Sequence, residues 1–194
     1  MTALRLVTDG GALSDRDDDA LMLLSAAGQR DAFRVLVERH AQGVFRFCVR
    51  LTNDRRIAEE LAQETWCSVW NSRNAYVPGG QFTIWLLVAA RNRCLNSKRG
   101  DKRRERVLTT DNDADAAESA KQLDRLIKEE ERRRVNEALA ELPAPMREAV
   151  TLRYAESLAY EQIAEVVGAN ESTVRSRVFH GVKKLHQRLV GDAS

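Results

Sequence analysis

Residues 161–178 of this chain have the spacing of a helix-turn-helix, in which two short helices cross at a tight turn. Gly168 ends a short apolar helical pattern and can take the left-handed backbone conformation that such a turn requires. Ala164, one helical turn earlier, is small enough for a second helix to cross close by. Asn170 can cap that second helix. Because such a motif presents its second helix to the major groove, the spacing predicts a chain that reads DNA.

The second helix of this motif separates apolar residues from basic ones. Its apolar stripe consists of Val174, Val178, Val182, Leu185 and Leu189. Between Ser172 and Val190 there are five Lys or Arg residues and no Asp or Glu. A recognition helix reaches base edges with its first two turns, while its basic flank meets phosphates. The pattern therefore predicts base readers at Arg175, Ser176, Phe179 and His180, and phosphate contacts at Lys183, Lys184 and Arg188. The alternative is an ordinary helical hairpin with a solvated basic face.

The composition of the whole chain constrains its class less than this local charge does. The chain has 194 residues, 43% of them apolar, and a net charge of +2. That length suffices for two small domains or one of medium size. The sequence contains no apolar run of the roughly 18 residues that a membrane helix needs. Residues 1–19 are acidic and lack the apolar core of a signal peptide. We therefore expect a cytoplasmic chain without direct membrane contact.

The residues that could carry chemistry do not form a recognisable reactive site. The three cysteines, Cys48, Cys67 and Cys94, lie in apolar patterns, which predicts reduced core thiols rather than a disulfide framework or a metal site. The three histidines, His40, His180 and His186, lie on separate helical patterns without a paired nucleophile. No Gly-rich phosphate loop is present. We expect no enzymatic activity, no metal and no cofactor.

Apolar periodicity predicts three main helices in the first half of the chain. The first has the stripe Phe33, Leu36, Val37, Val44, Phe45, Cys48 and Leu51, and Asn53-Asp54 follows it as a turn. The second runs from Arg55 to about Asn71 and buries Ile57, Leu61, Thr65 and Val69. The third begins near Gln81 and turns Phe82, Leu86, Ala90 and Cys94 inward. Between the second and third, Asn74 to Gly80 must be irregular, because it contains Pro and paired Gly.

The other face of the third helix carries an aromatic residue in line with amides and an arginine. Its members are Trp85, Val88, Ala89, Asn92, Asn96 and Arg99. Aromatic rings stack on bases and Asn reads base edges, so this face is a candidate surface for single-stranded or groove-bound DNA. The alternative places Trp85 in the core and the asparagines in solvent.

A polar stretch divides the chain into two blocks. Residues 109–120 offer almost nothing to bury. The helix after them has the stripe Leu123, Leu126, Ile127, Val135, Ala138, Leu139 and Leu142; the next begins at Pro143 and Pro145 and carries Met146, Val150, Leu152 and Tyr154. We therefore predict an all-α fold with two small helical domains joined by a flexible linker, the C-terminal one containing the helix-turn-helix. The expected boundaries are a flexible segment 1–16, a first domain 17–106, a linker 107–121 and a second domain 122–194.

Three stretches of the sequence occur in an informative order. They are Ile57 to Trp66 with Trp70; Phe82 to Asn92; and a C-terminal set, Leu142-Pro143, Arg147, Leu152-Arg153-Tyr154, Ser157-Leu158, Tyr160, Ile163-Ala164 and Thr173 to Arg177. In this order and spacing they resemble the polymerase-binding helix, the promoter-facing helix and the C-terminal domain of the extracytoplasmic-function sigma factors of bacterial RNA polymerase, in the sigma-70 family. The resemblance covers most of the chain.

The resemblance implies three partners, namely bacterial core RNA polymerase, promoter DNA and an anti-sigma factor. The implied polymerase contacts are Glu59, Glu60, Gln63, Glu64, Trp66 and Trp70. The implied contacts to the minus-ten element are Asn74, Tyr76, Gly79, Gly80, Trp85, Arg91, Asn92, Asn96 and Arg99, with the loop 74–80 capturing a flipped-out base. The implied contacts to the minus-thirty-five element are Ser172, Thr173, Arg175, Ser176, Phe179, His180, Lys183 and Lys184.

A few positions depart from the pattern of that family. Ala62 stands where a bulkier apolar residue is common, Glu60 where Asp is usual, and Asn170-Glu171 in place of the usual turn. His180 stands where Arg is frequent, and a neutral imidazole lacks the two-pronged donor that Arg offers to guanine, so the preferred base pair there should differ. The remaining alternative is a conventional helix-turn-helix regulator that binds duplex DNA without polymerase. That alternative accounts for the C-terminal part of the chain but leaves the first block unexplained.

Overall fold

The computed structural model describes residues 12–100 and 119–191, and within these ranges the chain forms eight α-helices and no strand. The helices are α1 (Asp18–Ala26), α2 (Arg30–Thr52), α3 (Arg55–Ser72), α4 (Phe82–Gly100), α5 (Ser119–Glu141), α6 (Ala144–Tyr154), α7 (Tyr160–Val167) and α8 (Glu171–Gly191). Short 3-10 turns occupy Leu13–Asp15 and Arg73–Ala75. No helix in the described ranges has both the length and the apolar character that crossing a bilayer requires. The predicted all-α fold is confirmed.

The described chain divides into two compact units. The first unit contains α1, α3, α4 and most of α2, and the second contains α5 to α8 together with Val49–Arg55. Residues 1–11 and 101–118 lie outside the described residues, and so do the side chains of 98–100 and 119–129. Residues 1–11 of the predicted flexible segment 1–16, residues 107–118 of the predicted connector 107–121, the side chain of Arg99 and the apolar residues Leu123, Leu126 and Ile127 therefore lie outside the described residues. Within the predicted flexible segment, Leu13–Asp15 form a 3-10 turn. The last residues of the predicted connector, 119–121, are helical.

The first unit is built around apolar side chains from all four of its helices. Asp17 starts α1 by accepting a 2.7 Å hydrogen bond from the backbone N–H of Ala20. The core includes Leu21, Met22, Leu36, Val44, Phe47, Leu61, Val69, Phe82, Leu86 and Ala90. Thr65 is also fully buried. Its hydroxyl is tolerated in the core because it donates to the carbonyl of Leu61 within the helix.

The predicted stripes of the first unit are largely buried, but Ile57 on α3 is only half-buried, and corrections are also needed on α2 and at one cysteine. On α2, Phe33, Val37 and Phe45 are only half-buried, whereas Phe47, which the prediction omitted, is fully buried. The inward residues predicted on α4 are all buried. Cys48 and Cys94 are buried beside each other, and a hydrogen bond between the thiols together with burial raises the pKa of Cys48. Cys67 is exposed on α3, so its assignment to the core was wrong.

The turn of the helix-turn-helix has the predicted chemistry. Gly168 ends α7 with a φ of 63°, and the N–H of Ala169 donates to the carbonyl of Ala164 at 3.1 Å. Asn170 caps α8, since its side-chain oxygen accepts a 2.8 Å hydrogen bond from the N–H of Thr173. Local contacts that the sequence predicts therefore fix the turn between α7 and α8.

Helix α8 packs closely against α6 at Gly181, a residue that the predicted apolar stripe of α8 did not include. Val174, Val178 and Gly181 are buried, but Val182 is 37% exposed. A Cβ atom placed on Gly181 would lie 2.6 Å from Cγ2 of Val150 on α6, so only glycine fits there without a shift. Val135 and Tyr154, also predicted as core residues, are exposed.

Candidate nucleic-acid and protein interfaces

One face of α3 is acidic, polar and exposed. Glu59, Glu60, Gln63 and Glu64 all lie on the surface. Glu60 pairs with Arg56 one turn earlier at 3.4 Å, but both side chains are more than 60% exposed, so this pair adds little stability. The same face lines an open groove of about 530 Å³, which is completed by Cys67, Ser68, Asn71 and Arg93. The groove thus brings together three of the four polar residues that the sequence assigned to polymerase contact, and the fourth, Glu59, is exposed on the same helix without lining the groove.

The two tryptophans of α3 lie on a different side and pack on α2. Rings of Trp66 and Trp70 meet the ring of Phe33 edge-on, with centroids 5.8 and 5.0 Å away. Both tryptophans are half-buried. The guanidinium of Arg73 lies 4.1 Å from the Trp70 ring and donates to the carbonyl of Trp70 at 2.6 Å. These ring contacts hold α3 against α2.

The loop between α3 and α4 exposes the backbone of two glycines together with the side chain of Val77. Asn74, Gly79 and Gly80 are exposed, and Val77 is 79% exposed. Tyr76 is buried instead, with its ring 5.3 Å from that of Trp85 and 5.9 Å from that of Phe82. The ring of Tyr76 therefore anchors this end of the loop to the start of α4.

Asp19 at the start of α1 holds this loop, and sequence reasoning did not identify it. One carboxylate oxygen accepts from the Tyr76 hydroxyl, and the other accepts from the N–H groups of Gly79 at 2.8 Å and Gly80 at 2.7 Å. Burial opposes ionisation of Asp19, but these hydrogen bonds outweigh burial and hold the pKa of its carboxyl below the usual value. Burial and the nearby carboxylate raise the pKa of Tyr76. The available sequence clue was the acidic run that precedes the first apolar helix.

The predicted DNA-facing side of α4 is partly assembled. Trp85 is half-buried against Tyr76 and Phe82. It therefore lies neither fully in the core nor fully on the DNA-facing surface, the two alternatives that the sequence left open. Asn92 and Asn96 are exposed one turn apart, and Arg91 is half-buried. The helix carries Asn96 about 16 Å beyond Trp85, at 1.5 Å per residue. The surface is thus a polar edge that leads away from the loop.

The outer face of α8 is basic and carries an exposed aromatic ring. Its exposed members are Ser172, Arg175, Ser176, Phe179, His180, Lys183 and Lys184, whereas Thr173 is half-buried. Phe179 is 65% exposed, and its ring contacts the His180 ring at 5.2 Å. An exposed ring beside cationic residues suits contact with bases.

The guanidinium of Arg175 has two partners within its own unit. Its guanidinium pairs with the carboxylate of Glu171 one turn earlier and lies 4.4 Å from the centroid of the Tyr160 ring on α7. Arg153 approaches the same ring at 5.0 Å and donates to the carbonyl of Leu158 at 2.9 Å. Tyr160 therefore joins α6, α7 and α8 beneath the residue predicted to read a base.

One of the three histidines, His40, makes structural contacts. His40 lies 2.7 Å from Asp18 and packs its ring on Phe82. His180 and His186 are exposed on α8. Within residues 12–97 and 130–191, no group of three His, Cys, Asp or Glu side chains is placed to hold a metal ion.

Two family models match these units. Residues 36–104, which include most of α2 and all of α3 and α4, match Sigma-70 region 2, and residues 132–185, from α5 to α8, match Sigma-70, region 4. The ECF RNA polymerase sigma factor SigK of Mycobacterium sp. (strain JLS) is 32% identical over 178 residues, which cover 89% of this chain and 91% of SigK. The chain belongs to the ECF sigma factor family.

Solved structures share the fold of this sigma factor. CnrH, in complex with the cytosolic domain of CnrY, superposes with a TM-score of 0.68 at 22% identity, over 90% of this chain and 98% of that one. The sigma factor RpoE from Bartonella quintana, in complex with the anti-sigma factor NepR, gives 0.65 at 22% identity, over 81% and 96%. A sigma factor is an initiation factor rather than an enzyme. A conventional regulator would not account for the match to region 2.

Proposed function

We propose that this sigma factor binds core RNA polymerase and directs initiation at promoters that carry minus-ten and minus-thirty-five elements. Membership of the family carries the proposal, and the charges of two surfaces support it. The exposed face of α3 is acidic, so it would repel DNA phosphates and suits a protein partner. The stretch of α8 between residues 172 and 190 has five bases and no acid, and three of those bases, Arg175, Lys183 and Lys184, lie on the outer face, so this face suits DNA. The factor acts in the cytoplasm, where polymerase and promoters are.

The first unit would read the minus-ten element with the α3–α4 loop and α4. Exposed glycine backbone allows close approach of a strand, and Trp85 with Asn92 and Asn96 offers stacking and edge-reading groups. Extruding a base from a duplex costs a few kcal/mol, which stacking and hydrogen bonds to the base must repay. In this proposal, residues 17–106 form the domain that reads the minus-ten element, and residues 122–194 form the domain that reads the minus-thirty-five element.

An anti-sigma factor would control this activity. RpoE, which shares the fold, was solved with an anti-sigma factor. On this chain the groove lined by Glu60, Gln63 and Glu64 is open, so a partner that covers it would exclude polymerase. Such a partner would present basic residues to this acidic face.

The proposal is tested by run-off transcription with purified bacterial core polymerase and a library of randomised promoters of fixed spacer length. We expect transcripts only when the sigma factor is present, and we expect their templates to share two upstream motifs. If an active core yields no such transcript while the protein alone shifts duplex DNA, the conventional regulator becomes the better account.

In the same assay, Glu64→Lys is expected to reduce transcription at limiting core polymerase by about tenfold, because it reverses a charge in the acidic groove. The matched control is Glu38→Lys, which reverses an exposed acid on α2. Fluorescence anisotropy measures the affinity for core directly. Equal affinities for the two variants would place the polymerase contact elsewhere.

Substitutions on α8 should separate base reading from phosphate binding. Arg175→Ala is expected to lower discrimination at one base pair of the minus-thirty-five element by about 1–3 kcal/mol, whereas Lys184→Ala weakens binding of all sequences and lowers the salt slope by about one. Holoenzyme binding to promoter variants across a salt series measures both quantities. A uniform loss of affinity for Arg175→Ala, with unchanged sequence preference, would contradict the base-reading role.

A further inference from the structure

Three hydrogen-bond donors from one loop converge on the carboxylate of Asp19. Tyr76 donates its hydroxyl to one oxygen, and Gly79 and Gly80 donate backbone N–H groups to the other at 2.8 and 2.7 Å. These donors lie 57 to 61 residues away along the chain. Hydrogen bonds to an ionised acceptor are about twice as strong as neutral ones, so this contact is a substantial restraint on the loop.

Residues 77–80 of the loop have little burial to define their backbone conformation. Val77 is 79% exposed, and Pro78, Gly79 and Gly80 are exposed as well, so burial does not hold this part of the loop. Pro78 has no N–H to donate, and Gly80 adopts a φ of 70°, which glycine reaches as easily as other conformations. A chain segment of this composition samples many conformations unless a polar contact selects one. The hydrogen bonds from the N–H groups of Gly79 and Gly80 to the carboxylate of Asp19 select one backbone conformation of this segment.

Asp19 is itself fixed by its neighbours. Asp17 caps α1, and Asp18 accepts a 2.8 Å hydrogen bond from Arg39 and lies 2.7 Å from His40 on α2. The hydroxyl of Tyr76 is directed to Asp19 while its ring packs on Phe82 and Trp85 at the start of α4. The start of α1 is thus tied to α2 on one side and to the loop and α4 on the other.

We propose that Asp19 is a positioning residue for minus-ten recognition, which holds the loop 76–80 in the conformation that takes up the unpaired base. The inference rests on the proposed function, in which this loop captures that base. A carboxylate would repel the DNA backbone, so Asp19 acts through the loop and not by touching DNA. Its loss should therefore change the preference at the minus-ten element and leave the minus-thirty-five preference intact, because α8 belongs to the other unit.

The test compares Asp19→Ala and Asp19→Asn with the wild type as full chains bound to core polymerase. Two promoter libraries are transcribed, one randomised in the minus-ten element and one in the minus-thirty-five element. We expect Asp19→Ala to lower the enrichment of preferred minus-ten sequences by about tenfold, as for the loss of a hydrogen-bonded charge. Asp19→Asn keeps one acceptor oxygen and should give a smaller loss. The matched control, Asp15→Asn, removes an exposed charge from the same region and should match the wild type.

The outcomes separate this inference from the proposed function. If the wild type transcribes selectively and Asp19→Ala keeps its minus-ten preference, the positioning role is overturned. If Asp19→Ala and Asp19→Asn lose both preferences equally, or lose affinity for core, their defect is one of folding and the positioning role is also overturned. If the wild type itself gives no promoter-dependent transcript, the proposed function fails and the inference fails with it. Selective loss at the minus-ten element alone supports the inference.

Discussion

Phe47→Ala is expected to lower the free energy of unfolding of the first unit by about 3–5 kcal/mol. Phe47 is completely buried and is among the largest side chains that are. Truncating it removes apolar contacts and leaves a cavity that the surrounding helices can fill only in part. Hydrogen exchange of backbone amides in α2 and α3, measured on the full chain, reports the stability of this unit separately from the other.

The matched control is Phe45→Ala, two residues earlier on the same helix. Phe45 is only half-buried, so its truncation should lower the same free energy by about 1–2 kcal/mol. The sequence pattern had placed Phe45, and not Phe47, in the core. Equal losses for the two variants, or a larger loss for Phe45→Ala, would contradict the placement of α2 against its neighbours.

The position of Phe47 could have been predicted from spacing. Val44, Phe47, Cys48 and Leu51 follow the order i, i+3, i+4 and i+7 that defines one face of a helix, and all four are buried. The predicted stripe replaced Phe47 with Phe45, which lies about 200° away from it around the helix axis. Helical periodicity therefore predicts the burial of Phe47, and the error was to choose Phe45 over Phe47 for the stripe.

The turn of the helix-turn-helix was predictable because its determinants are local. Gly168 supplies the left-handed residue and Asn170 supplies the cap, and both act on residues a few positions away. The stripe on α8 was less predictable after its second turn. Gly181 is the buried residue there, and a pattern based on apolar side chains selects Val182 instead.

The exposed acids of α3 and the basic face of α8 were also predictable, because amphipathic periodicity fixes which face is solvated. The contact between Asp19 and the α3–α4 loop was not. It joins residues that are 57 to 61 positions apart, and no local propensity reports such a pairing. Tyr76 is buried because its ring packs on Phe82 and Trp85, whereas the family resemblance implied that it contacts DNA.

Gly181→Val is expected to lower the free energy of unfolding of the second unit by about 3 kcal/mol, at the upper end of the range for overpacking. The added Cβ alone would lie 2.6 Å from Cγ2 of Val150, and Val150 is β-branched, so it cannot rotate away without strain. The helices α6 and α8 must then separate. Because α8 carries the outer basic face, we also expect weaker binding of the minus-thirty-five element by the holoenzyme.

Two further variants isolate this cause. Gly43→Val places the same side chain on α2, where a Cβ meets nothing within 4 Å, and should leave stability almost unchanged. Adding Val150→Ala to Gly181→Val removes the clashing methyl group and should recover about 1 kcal/mol relative to the sum of the single changes. Amide exchange in α8 measures the stability of the second unit for the variants at Gly181 and Val150, and amide exchange in α2 measures that of the first unit for Gly43→Val. If Gly181→Val and Gly43→Val change stability equally, α6 and α8 do not approach closely at Gly181, and the orientation of the recognition helix must depend on the contacts of α7 instead.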